Sequence, residues 1–437
     1  MTTMLAKTKA EQSLAADFAA RAEELPGNQI VAAARTKAME EFTRLGLPHR
    51  RVEAWKYTDL RVALKDAAPI ATRDKTAVSP SELNAALGPL AALQADRIVF
   101  VNGSYNPTLS TAQPQILVPT LGAWLQSKNG EGFGFAVRDE AVVALNAALA
   151  TDGASIWVKD DLRLDKPVLI VSVAAGLKAS LATLRHKVML DHAASATVIE
   201  AHVTLPGAVP AQSNSVLEIS VDDAASLTHI LVSLEGAAST HLETVIATIG
   251  ANATYKSFQL TAGTGLARTQ SFVTFEGENA KLDISGLMLG RGRDHIDTTL
   301  VIDHAVPGCE SRELFKAVLD DTARAVFQGK VIVRPHAQKT DGKQMAKALM
   351  LSEACEFDSK PELEIYADDV VCGHGATVAE IDPGMMFYLR SRGIPKDEAR
   401  AMLIESFVGE ALEKIDDEGL RAMLSEIARR WLETKQA

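Results

Sequence analysis

From about residue 156 to 381 the chain alternates apolar and polar positions in short bursts: PVLIVSV, ATVIEAHV, SVLEISV, LTHILVSL, TVIATIG, SFQLTAG, SFVTFEG, TTLVIDHAV, KVIVRP and LEIYADDVV. Period-two alternation predicts strands with one buried face, because successive side chains point to opposite sides of the backbone. Nothing of helical period interrupts the first nine segments. Small or acidic turn residues recur near Asp191, Asp222, Gly250 and Gly277, a spacing of roughly 30 residues that fits one coil of a stacked-repeat architecture. The reading favoured is a mainly β fold with a right-handed parallel β-helix core. A sandwich is the competing arrangement, though its strands usually carry cleaner hairpin turns.

The flanks have a different period. Leu14, Phe18 and Ala19, then Val31, Ala34, Ala38 and Phe42, recur at three-to-four spacing among charges, and Pro26 and Gly27 split them into two helices. Ser79 or Ser81 is placed to cap a further helix in SPSELNAAL. RIVFVNGSYNPTLS reads as a strand with an Asn-Gly turn. After Pro383 the chain returns to helix, with Gly393 as a stop signal, Pro395 at a first turn, and Leu403, Phe407, Ala411 and Ile415 at i, i+4 spacing. Met402, Ile404, Val408 and Leu412 widen that stripe, so this helix serves either its own core or a partner. The predicted organisation is an N-terminal helical region over 1–95, a β-helix core over 96–382 and a C-terminal helical domain over 383–437.

Composition narrows the function. Apolar residues make up 47% and aromatic residues 5%, so the core must be built from small and branched aliphatics. A net charge of −11 argues against a general nucleic-acid binder. The three cysteines, Cys309, Cys355 and Cys372, are odd in number and far apart, which points to a reducing compartment rather than a disulfide framework. No stretch is apolar enough to span a membrane, and the N-terminal segment lacks a signal-like apolar run; a cytoplasmic protein is expected. No GxxxxGK[ST], helix-opening GxGxxG, HExxH, CxxC or GxSxG occurs. Nucleotide hydrolysis, Rossmann cofactor binding and a resident four-thiolate centre are therefore not expected of this chain alone.

One short segment carries candidate chemistry. In DDVVCGHGATV, Cys372 and His374 lie two apart, so an extended backbone aims both at the same side, with Gly373 and Gly375 leaving the other side bare. A thiol and an imidazole aimed together suit iron, zinc or copper, and a thiolate also accepts sulfur. A buried thiol beside a turn histidine is the plainer alternative. The strand-region histidines, His192, His202, His229, His241, His295 and His304, read as exposed or hydrogen-bonded strand positions.

The block from AQKTDGKQMAKALMLSEACEFDSKPELEIYADDVVCGHGATVAEID into FYLRSRGIPKDEARAMLIESFVGEAL resembles the SufB/SufD family of Suf-system iron-sulfur cluster assembly proteins, on its SufD side. RRVEAWKYTDL, RIVFVNGSYNPTLS and LNAALATDGASIWVKDDLRLDKPVLIV extend the likeness over 48–415. Two departures stand out: Ala348 where the family often has Asn, and LEIYADD where SufB carries its scaffold cysteine. The resemblance implies a β-helix between helical ends, assembly with SufB and the SufC ATPase, and a cysteine desulfurase system as the indirect sulfur source. It implies a transient iron-sulfur cluster at the interface between the paralogues, with assistance to iron acquisition, and homodimers as an option for the isolated chain. The family's Cys-x-His pair falls on Cys372 and His374. Arg392, Pro395, Leu403, Phe407 and Leu412 fall in the region expected to dock the ATPase. The chain then has no turnover of its own. Rival readings are a purely structural adaptor for the ATPase and a thiol- or metal-dependent enzyme with Cys372 as nucleophile and His374 as base.

Overall fold

A computed structural model describes residues 6–71, 76–111, 120–126 and 140–434. Its centre is a parallel β-solenoid in which successive strands alternate between two sheets. The even strands, with β1 (Asp96–Val101) and β2 (Ser104–Tyr105), form one sheet of ten. The odd strands from β3 (Ser155–Val158) to β17 (Glu356–Ile365) form the other, of eight. Each coil therefore contributes one strand to each sheet, giving the repeat read from the sequence. The Asn-Gly turn joins β1 and β2, with Asn102 at φ 45 and Gly103 at φ 78, the doubly positive geometry of a tight hairpin.

The small or acidic turn residues of the repeat stand two positions before four corners of the coils. Asp191, Asp222, Gly250 and Gly277 precede Ala193, Ala224, Asn252 and Asn279, all left-handed. Each corner residue donates its backbone N–H to the next coil: Ala193 to Asp223, Ala224 to Ala251, Asn252 to Glu278, and Asn279 to Pro307. Left-handed backbone at an L-residue costs roughly 1–2 kcal/mol, and this inter-coil bond offsets part of that cost. Gly277 is required for a different reason: a Cβ there would stand 1.9 Å from the Ala251 backbone nitrogen.

The inner faces of both sheets enclose an apolar core that includes Val188, Leu217, Val245, Phe275, Phe315 and Phe327. Outside, α1 (Lys9–Arg21), α2 (Gln29–Leu45) and α6 (Ala141–Leu149) cover the odd sheet, and α3 (Leu60–Ala63) and α5 (Leu121–Gln126) are short helices between them in the chain. Helix α6 lies inside the span assigned to the β-helix and is buried throughout. On the even sheet sit α4 (Pro80–Leu87), capped by Ser79, together with α8 (Lys396–Leu412) and α9 (Glu418–Glu433). Arg268 fastens the RRVEAWKYTDL segment. Its guanidinium lies 3.8 Å from the Trp55 ring, donates to the Ala54 carbonyl at 2.7 Å, and pairs with buried Asp297. No helix among the described residues is long and apolar enough to cross a membrane.

Candidate functional site

The predicted pair lies at the open end of the solenoid. Strand β18 (Val371–Glu380) is the terminal strand of its sheet, paired on one side only, with β16 (Asp341–Met350). Register carries the inner row Ser311–Gly342–Cys372 and, beside it, Glu313–Gln344–His374. Cys372 and His374 thus share the inner face. Cys372 is half-buried against the end of the core, and a Cβ on Gly342 would stand 3.6 Å from its Sγ. His374 is exposed.

The glycines between them differ. Gly373 faces open space, whereas a Cβ on Gly375 would meet Met345 Cε at 2.8 Å. Burial pushes the Cys372 thiol up, and the nearby Asp341 and Glu313 carboxylates add to this against a hydrogen bond from Gly342. The thiol is therefore protonated at neutral pH, a poor nucleophile until a metal or a partner charge draws off its proton. Cys309 and Cys355 are buried.

The coil end is also apolar. Val371 is 62% exposed, Val378 56%, Tyr366 58% and Phe387 74%. Phe387 belongs to α7 (Pro383–Ser391), which follows directly. An unpaired strand edge with apolar neighbours is a template for another chain unless something covers it.

The C-terminal helices divide the residues assigned to docking. Arg392 and Pro395 are exposed, and Leu403 and Phe407 are half-buried. Leu412 corrects the expectation: it is 4% exposed and belongs to the apolar core under α8, with Ile404, Val408 and Ala411. The reason is electrostatic as well as apolar. Lys316 reaches out of the sheet to the Phe407 carbonyl at 2.6 Å and to Glu410, turning the Leu412 side of α8 inward.

A second polar cluster lies inside the solenoid, and the period-two rule applied to Cys372 and His374 would have found its parts. Glu200-x-His202 on β6 (Ser195–Thr204) and His241-x-Glu243 on β9 (Thr240–Ile249) each aim two donors inward. Facing each other from opposite sheets, their imidazoles stand 4.4 Å apart between ring centres. Glu235, just beyond β8 (Ser226–Leu234), joins them, with Oε1 3.5 Å from His241 Nδ1. Glu243 Oε2 stands 3.5 Å from His202 Nε2 and 3.8 Å from His241 Nε2.

The expectation that the strand histidines are exposed or hydrogen-bonded holds for exposed His192, for His229 on Glu200 at 2.8 Å, for His295 on Thr58 at 2.8 Å and for His304 on Ser311 at 3.1 Å. It fails for His202, which is buried with neither ring nitrogen hydrogen-bonded. Burial pushes the His202 imidazole down to about 4 and holds His241 well below its usual range. It pushes the Glu235 carboxyl up to about 8 and holds Glu243 well above its ordinary value. At neutral pH His202 and His241 are therefore neutral imidazoles and Glu235 and Glu243 carboxylic acids, whereas Glu200 is a carboxylate, held below its ordinary value against burial by its hydrogen bond to His229. Each buried polar atom without a partner costs about 1–3 kcal/mol, so the arrangement is not explained by stability.

Comparison with known proteins identifies the family. Residues 172–407 match the family model described as SUF system FeS cluster assembly, SufBD core domain, and residues 8–170 match the SufBD protein N-terminal region. The iron-sulfur cluster assembly protein SufD of Escherichia coli is 35% identical over 399 residues, 90% of this chain and 91% of that protein. A SufBD family protein of Synechocystis is 30% identical, covering 91% of this chain and 90% of its own length. SufD of Bacillus subtilis is 29% identical, over 68% of each chain. The chain belongs to the SufBD family of iron-sulfur cluster assembly proteins.

Proposed function

We propose that this chain is a non-catalytic scaffold subunit of a Suf assembly complex. It pairs through its terminal coil with a related solenoid, the SufB paralogue, and carries the SufC ATPase on its C-terminal helices. The nascent cluster is the cargo, held between the paired solenoids, and iron delivery to it is assisted from this side. The observation that carries the reading is the uncapped end of the solenoid. There a free strand edge, the exposed Val371, Val378 and Tyr366 and the inward-facing Cys372 and His374 all lie on the last coil. Strand addition would satisfy the free backbone groups of β18, and the outer face over Gly373 is open. Two donors cannot complete the coordination of an iron, so the remaining ligands come from the partner. A cluster held this way is exposed and transferable.

For the ATPase, the candidate surface is the exposed rim formed by Met385, Phe387, Tyr388, Arg392 and Pro395, with Leu403 and Phe407 at its margin. Leu412 is withdrawn from it. The protonated Cys372 thiol and the solvent-exposed His374 favour a scaffold over an enzyme whose nucleophile is Cys372.

The test is iron and acid-labile sulfide per complex after co-expression with SufB, SufC and the cysteine desulfurase system. Wild type is compared with His374→Ala, after size-exclusion mass shows both complexes intact. Loss of cluster with assembly unchanged is the expected result. Full cluster content in the variant would leave only the structural-adaptor reading, and turnover by the isolated chain would overturn the non-catalytic one.

A further inference from the structure

We infer that the lumen of the solenoid contains a binding site for one divalent first-row transition-metal ion, ligated by His202, His241 and Glu235. The site is separate from Cys372 and His374 and does not depend on the scaffold reading.

Three observations carry it. The three side chains, two on strands of opposite sheets and one just beyond β8, each bring a ligand atom within 4.8 Å of the others. Donors 2.0–2.2 Å from a common ion are at most about 4.4 Å apart, so small side-chain adjustments close the set. Second, each of the three buried side chains keeps a polar atom without a hydrogen-bond partner: both ring nitrogens of His202, Nε2 of His241 and Oε2 of Glu235. Native interiors rarely leave such atoms without a ligand, water or ion. Third, a cavity of about 30 Å³ borders His202, Ser213 and Glu235 and extends to half-buried Ser180 and Gln212 at the wall. That is room for a water or two to fill open coordination positions.

The surroundings fit a metal site. Glu243 lies beside Nε2 of both histidines, where a carboxylate orients metal-bound imidazoles. With His202 and Glu200 it forms a second, overlapping triad, whose members are also buried. Ser213 Oγ now bridges the site, 2.8 Å from His241 Nδ1 and donating to Glu235 Oε1 at 3.0 Å. Two imidazoles and a carboxylate select zinc, iron(II) or cobalt(II) over magnesium or calcium, which prefer all-oxygen sets.

The experiment uses the full chain carrying Cys372→Ser and His374→Ala, so that the terminal pair cannot contribute. After chelation it is titrated anaerobically with Co²⁺, with long equilibration because the site is enclosed, and followed by visible d–d absorption and metal analysis. The expected result is one Co²⁺ per chain, displaced by Zn²⁺, with paramagnetically shifted proton signals from two imidazoles. Glu235→Gln and His202→Ala should each weaken binding by at least about 100-fold, since outer-shell partners alone are often worth about 10-fold to 100-fold. Circular dichroism checks that each variant folds, and near-isosteric Glu235→Gln decides if His202→Ala does not. Absence of stoichiometric Co²⁺ in the parent, or equal binding by parent and Glu235→Gln, overturns the site. Neither result bears on cluster content at the terminal coil.

Discussion

Glu313 offers a direct test of how the solenoid interior treats charge. It lies in the inner row that ends at His374, is 3% exposed, and has both carboxylate oxygens without a hydrogen bond. Burial pushes its carboxyl up from 4.5 to about 7, against smaller opposing contributions from Ser311, Gln344 and Arg312. Between those two values the unfolded chain releases the proton while the folded chain keeps it. Stability therefore falls as pH rises across this window and levels off above it. At about 1.4 kcal/mol per pH unit the full loss is ~3 kcal/mol.

Glu313→Gln keeps the shape and removes the titration. Relative to wild type, the variant should be about equally stable at pH 4.5 and more stable by ~3 kcal/mol at pH 8. Equilibrium urea unfolding of both proteins at each pH cancels the other titrating groups. Because the ionised Glu313 also raises the Cys372 thiol, the variant should react faster with iodoacetamide at pH 8, at Cys372 alone. A stability difference independent of pH would refute the argument.

Two further substitutions test how the ends are fastened. Arg268→Ala removes the stacking on Trp55 and the bond to Ala54 and leaves Asp297 as an uncompensated buried charge, at about 3–5 kcal/mol. Amide exchange over residues 53–58 should accelerate and Trp55 fluorescence should shift to the red; unchanged exchange there would sink the assignment. Glu410→Ala deprives buried Lys316 of its carboxylate and Lys347 of its 2.9 Å partner. With Glu410 about half-exposed, the cost is roughly 1–2 kcal/mol, appearing as faster exchange in α8 and refuted if α8 exchange is unaffected.

The solenoid was legible because its repeat is local. Alternation marks the strands, and the small or acidic residues two positions before the left-handed corners at Ala193, Ala224, Asn252 and Asn279 mark four successive coils. Helix α6 escaped notice because AVVALNAAL is apolar all round and so has no stripe to betray its period. Leu412 was misplaced for a related reason. A helix apolar on several sides does not say which side faces inward, and the deciding contact, Lys316 to Glu410, joins residues 94 apart.

The two polar sites differ in the same way. Cys372 and His374 are adjacent on one strand, so a single alternation argument finds them and the register of β16 with β18 gives their face. The lumen cluster needs residues from strands in opposite sheets to meet, and no local pattern encodes which coil lies across the lumen from which. Its halves were nonetheless written in the sequence as Glu200-x-His202 and His241-x-Glu243. In a solenoid, an inward i, i+2 donor pair is never alone, because the stacking of coils places another coil's inner row against it. At the terminal coil that neighbouring place is the free edge of β18, and Cys372 and His374 stand beside it. In the lumen it is filled by the molecule itself, and the same chemistry becomes an enclosed set of donors.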